Sequence, residues 1–192
     1  MSQNQNRMVS IQKLGNISHA IAIALKDDLN QVYKDHQITF EVNTEELELE
    51  ESEYDDVREQ YDASRILDRL MYLAKDNEVF RVLGVLDEDI YASDLNFVFG
   101  VAKVPKFRNI DKSLVSLISV ARLRESYYGK PKNEQLFRER ILKEALHEIG
   151  HTFGLDHCDN LCVMKFSNSL PETDIKPAGY CNECNLELNS NL

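Results

Sequence analysis

The sequence predicts a mixed α/β (α+β) fold: a twisted sheet, one long uninterrupted helix, and a small metal-stabilised lobe at the C-terminal end. Three observations carry this expectation. Short apolar runs with strand character alternate with stretches of helical periodicity. Residues 133–149 form a helical stretch without Gly or Pro. All four cysteines fall between positions 158 and 184.

The elements follow in order. Val9 and Ile11 alternate with Ser10 and Gln12, so residues 8–14 read as a short strand. Asn16 is the expected cap of a helix running to about Tyr33, with Ile17, Ala20, Ile21, Ala24, Leu25, Leu29 and Val32 as its apolar stripe. Residues 37–42 put Ile38, Phe40 and Val42 on one face and Thr39 and Glu41 on the other, a strand alternation. Residues 44–56 carry eight acids and no base, and blocks of like charge usually stay solvated, so a loop is expected. Asp62 can cap a helix over 63–76, whose inner face is Ile66, Leu67, Leu70, Leu73 and Ala74. Apolar runs at 79–86, 95–104 and 114–123 read as buried strands. Pro105 ends pairing after the second of them, and residues 105–113 form a basic, polar loop. Asn133 caps the long helix, Glu134 suits its first turn, and Gly154 suits a left-handed exit.

The 192 residues suit a single domain over 1–192, with an N-terminal lobe over 1–153 and a C-terminal lobe over 154–192. A composition of 43% apolar and 29% charged residues is that of a soluble globular chain. The net charge of −11 argues against nucleic acid as a partner. No apolar stretch is long enough to span a membrane, and the polar start MSQNQNRMVS lacks the apolar core of a secretory signal. A cytoplasmic monomer is therefore expected. Clustered cysteines in such a compartment point to metal before disulfide.

The chemistry sits in residues 147–184. His147 and His151 are four apart, so they lie ~40° apart around a helix and ~6 Å apart along it, on one face. Glu148 can reach a water held by a shared metal without being a ligand itself. If the helix continued, His157 would be rotated ~240° from His151; the glycine at Gly154 lets the chain turn back and bring it to the same metal. Three neutral imidazoles and one open position suit a catalytic zinc. Cys158, Cys162, Cys181 and Cys184 form a C-x3-C and C-x2-C pair of pairs, suited to a closed structural zinc. Two zinc ions per chain are thus expected. HExxH alone recurs by chance in unrelated helices, whereas HExxHxxGxxH is far more demanding.

These residues resemble the archaemetzincins, within the metzincin clan of zinc metallopeptidases. His147, Glu148, His151, Gly154 and His157 match the clan's catalytic motif, and Met164 in C-V-M matches its Met-turn. The four cysteines match the mark of the archaemetzincins, although the first pair is spaced x3 where the family typically has x4. The resemblance covers most of the chain from about Leu83 onward. It implies a zincin-like mixed sheet and a peptide or protein substrate, hydrolysed by water on zinc with Glu148 as general base. It implies that Leu95, Asn96, Phe97, Val98, Phe99 and Gly100 form an edge strand lining the cleft, where an extended peptide can add. It also implies Met164 as an apolar floor beneath the zinc, and residues 166–176 as a wall of the pocket after the scissile bond. Some metzincins have a tyrosine two residues after the Met-turn methionine to assist the oxyanion. Phe166 stands there in this chain, leaving Tyr180 and Lys176 as weak substitutes.

Two other readings remain at this stage. A zinc-stabilised peptide-binding module with little turnover has no need of Glu148. A disulfide-stapled secreted protein needs the signal that the N-terminus lacks.

Overall fold

The computed structural model describes residues 7–93, 95–103 and 114–192. The expected Pro105 boundary and the loop over 105–113 lie outside the described residues. Strand β1 (Arg7–Leu14) pairs in parallel with β2 (Ile38–Val42) on one side and β5 (Arg81–Leu86) on the other. Next comes β8 (Leu114–Ser119), also parallel, and then the antiparallel edge strand β7 (Gly100–Ala102), giving the order β2-β1-β5-β8-β7. A second, small sheet joins β3 (Tyr54–Asp55), β4 (Gln60–Asp62) and β6 (Ile90–Tyr91).

Helices cover both faces of the main sheet, which explains why its central strands are apolar throughout. On one face α1 (His19–Val32) and α3 (Glu134–Thr152) pack over Val9, Ile11, Leu83, Val85 and Ile118. On the other, α2 (Ala63–Asp76) packs Ile66, Leu67 and Leu70 onto Val82, Leu86, Val115 and Leu117. The C-terminal segment carries α4 (Leu170–Ile175) and α5 (Asn182–Asn191), helices that the sequence reading did not assign. Met164, Leu170, Cys184 and Leu188 join the same core as α1 and α3.

Three expectations need correction. The first helix begins after Ser18, not Asn16. Gly15, at φ +60°, turns the chain out of β1 and donates its N–H to Leu47 O, so Asn16 is spent on that turn. The acidic segment is not wholly a solvated loop. It forms a short 3-10 turn and β3, and buries Glu53 against Arg69 of α2, which bonds it at 2.7 and 2.9 Å. The neutralising base lies outside the acidic window, where local charge counting does not look. Finally, Leu95, Asn96, Phe97, Val98 and Phe99 are not strand. The edge strand starts only at Gly100, because the N–H of Val98 bonds Ile90 O and ties that stretch towards the small sheet.

Candidate active site

Helix α3 begins as its sequence requires: Asn133 Oδ1 accepts the N–H of Leu136 at 3.1 Å. It then runs beneath the sheet, so that nearly all of its last three turns is buried. His147 and His151 project from one face, with ring centroids 4.7 Å apart. The helix ends at Thr152, and at Gly154, whose φ of +82° is left-handed, the chain turns back. His157 thereby comes within 5.3 Å of His147 and 5.0 Å of His151, centroid to centroid. Asn191, at the end of α5, fastens this turn by donating to Phe153 O at 2.9 Å.

Each helical imidazole is oriented by its other nitrogen. Nδ1 of His147 lies 2.9 Å from Val163 O, and Nδ1 of His151 lies 2.8 Å from Leu155 O. A carbonyl only accepts, so both Nδ1 atoms carry the proton and both Nε2 atoms present lone pairs. Those two Nε2 atoms face each other at 3.2 Å. Burial holds both rings neutral, pushing His147 down to about 3 and lowering His151 as well. One ring nitrogen from each of the three histidines lies within 4.8 Å of the others. Two lone pairs facing each other at this distance repel unless a cation lies between them, so the donor set fits zinc.

The four cysteines gather beside this centre, their sulfurs also within 4.8 Å of one another. None is bridged, and Cys158 Sγ and Cys181 Sγ stand 3.8 Å apart, far beyond a disulfide bond. Cys162 Sγ accepts the Cys181 N–H, and the thiol of Cys181 is held down to about 7, chiefly by the N–H of Cys184. Burial pushes the Cys158 and Cys184 thiols up instead, so the fit to zinc rests on four unbridged sulfurs within reach of one ion. The turn carrying Met164 links the two clusters: Cys158 N–H bonds Met164 O, and Val163 presents its carbonyl to His147. Met164 is fully buried against α3, where a Cβ on Gly150 would meet its sulfur at 2.5 Å.

A cleft of about 590 Å³ opens over the histidines. Leu95, Asn96, Phe97, Val98, Phe99 and Gly100 line it, joined by Glu148 and, on the far wall, Phe166, Ser167 and Asn168. All six residues line this cavity, although only Gly100 does so as strand. Glu148 is 5% exposed, and burial together with the nearby Glu144 carboxylate raises its proton affinity well above the usual range. Tyr180 is committed elsewhere: its hydroxyl donates to Leu146 O at 2.7 Å and meets the Tyr33 hydroxyl.

Sequence reasoning missed a polar group beside Glu148. Glu144 lines the cleft, accepts a bond from Thr173 at 3.1 Å and stands 3.7 Å from Lys176 Nζ. Both partners of this pair are nearly inaccessible. The available signal was spacing, since Glu144 lies one helical turn before Glu148 on the same face.

A mixed sheet over a long helix, two helical histidines and a third brought in by a glycine turn, with a methionine turn beneath them, define a metzincin-type metallopeptidase. The comparisons agree. The sequence profile of peptidase family M54 matches residues 12–190. An archaemetzincin of Pyrococcus abyssi is 40% identical over 187 residues, covering 96% of each chain. The crystal structure of the Methanopyrus kandleri archaemetzincin superposes with a TM-score of 0.79 at 34% identity, covering 100% of this chain and 98% of that one. A zinc-dependent peptidase from Methanocorpusculum labreanum gives 0.80 at 27% identity, covering 94% and 100%. The chain belongs to peptidase family M54, the archaemetzincins, and is a zinc metallopeptidase.

Proposed function

We propose that His147, His151 and His157 hold the catalytic zinc, and that Glu148 is the general base for hydrolysis of a peptide bond. The observation that carries this assignment is the pair of Nε2 lone pairs at 3.2 Å, each fixed by a backbone carbonyl behind its ring. Bound zinc would supply Lewis acidity, polarising the substrate carbonyl and acidifying a water. Glu148 takes the proton from the attacking water and later delivers it to the leaving amine nitrogen. Its burial suits both steps, because the carboxylate holds the proton in a site largely shielded from bulk water.

The substrate binds extended along β7. Gly100 stands opposite Ile118, while Phe99 O accepts from Ser119 and Lys103 N–H donates to Val115. Antiparallel alternation then leaves the N–H and C=O groups of Gly100 and Ala102 directed to the open edge, where a peptide can pair. Phe166, Ser167 and Asn168 wall the pocket for the side chain after the scissile bond, and Met164 supports the histidines from below. Cys158, Cys162, Cys181 and Cys184 hold a second, structural zinc, giving two per chain. The protein acts as a cytoplasmic monomer, a reading supported by four unbridged thiols and the charge of −11.

Glu148→Gln tests the assignment: peptide cleavage should disappear while zinc at the three histidines remains. A variant that cleaves at the wild-type rate would exclude Glu148 as the base.

A further inference from the structure

The Glu148 carboxylate makes no hydrogen bond to any described residue, so contact and shape decide where it sits. One such constraint lies in the edge strand. A Cβ on Gly100 would lie 2.6 Å from Glu148 Cγ, 2.8 Å from Oε1 and 3.0 Å from Cδ. These distances are far inside van der Waals contact, and Cγ and Cδ belong to the middle of a buried side chain that cannot simply swing away. The glycine is not there for its backbone. Gly100 is ordinary strand, and the left-handed glycines are Gly15, Gly129 and Gly154. What position 100 supplies is an empty slot.

That slot faces the helix, while the edge of the same residue faces the cleft. Gly100 belongs to the alternate set whose N–H and C=O turn away from β8, towards the position an added strand would take. One residue therefore touches the base through its bare α-carbon and offers the backbone groups that would set the register of a peptide.

We propose that Gly100 is a positioning residue for hydrolysis, seating the Glu148 carboxylate and registering the scissile bond against it. This rests on the peptidase reading given above. A methyl group at position 100 displaces the carboxylate from the attacking water or lifts β7 away from α3. Either shift acts on the reaction through Glu148, without touching the histidines. A misplacement of about 1 Å in such a site costs on the order of 100-fold in rate.

The test is Gly100→Ala in two backgrounds, wild type and Glu148→Ala, read by melting temperature, zinc content and peptide hydrolysis. In the wild-type background kcat should fall on the order of 100-fold, with zinc content unchanged and KM little altered. The melting temperature should fall as well. In the Glu148→Ala background the same substitution should leave the melting temperature unchanged, because the side chain it would strike is gone. A Gly100→Ala enzyme with wild-type kcat overturns the proposal. So does an equal loss of melting temperature in both backgrounds, which would make Gly100 a purely structural strand residue. If Gly100→Ala alone fails to fold, a folded double variant supports the contact and an unfolded one refutes it. Should the wild type cleave no peptide at all, the peptidase reading and the catalytic role of Gly100 fall together, while the melting comparison still reads the contact.

Discussion

At the scale of single residues, the site depends on where one chain turn places one ring. Gly154 is the residue that allows it, and its conformation can be tested directly. Gly154→Ala forces a Cβ into the left-handed region, at 3.3 Å from Asn191 Nδ2, and should cost about 1 kcal/mol of stability. Because His157 follows three residues later, the variant should also lose zinc from the three-histidine centre more readily to a competing chelator. Gly154→Asn should lose less on both counts, since asparagine tolerates this conformation. An alanine variant with wild-type melting and zinc retention would show that the turn is not held by Gly154. His147, Glu148 and His151 are legible in the sequence because helical spacing fixes which side chains share a face, and His157 because Gly154 offers the chain a left-handed exit. Glu144 and Gly100 are not. Their roles come from contacts with Lys176 and Glu148, at sequence separations of 32 and 48, which no local pattern encodes.

At the scale of elements, the helices were read best where a cap announces them. Asp62 accepts the N–H groups of Ser64 and Arg65 at 2.8 and 3.4 Å, and α2 begins at the next residue, as the sequence predicts. Asp62→Ala should cost about 1 kcal/mol, a fall in melting temperature of roughly 2–4 °C, with no change in peptide hydrolysis. An unchanged melting curve would mean that the backbone groups find other partners. Strands were read less well, because an apolar run states burial without stating pairing. Phe97, Val98 and Phe99 are apolar for the cleft they line and the core they touch, and the ladder begins only where Gly100 meets Ile118. The helices α4 and α5 escaped notice because they are short and polar. Their stability comes from docking Leu170, Cys184 and Leu188 into the main core.

At the scale of the molecule, the three-histidine and four-cysteine clusters are mechanically one unit. Cys158 follows His157 directly, and the segment between Cys158 and Cys162 leads into the turn that carries Val163 and Met164 beneath His147. Loss of the sulfur centre should therefore loosen the histidine centre. Cys184→Ser should reduce zinc from two per chain to one, lower the melting temperature and weaken peptide hydrolysis, although no cysteine lines the cleft. Unchanged metal content and melting would refute the structural-zinc assignment. The sequence by itself determined the family of this protein and named candidates for its chemistry: three histidines suited to zinc and a carboxylate suited to act as base. It could do so because the candidate ligands are spaced closely on a helix and its exit turn. Only the tertiary structure decided what surrounds them. It set the parallel order of the sheet, the short edge strand, the Glu144–Lys176 pair and the slot at Gly100. These arise where segments distant in sequence come to share one buried volume, and close packing there leaves few alternatives.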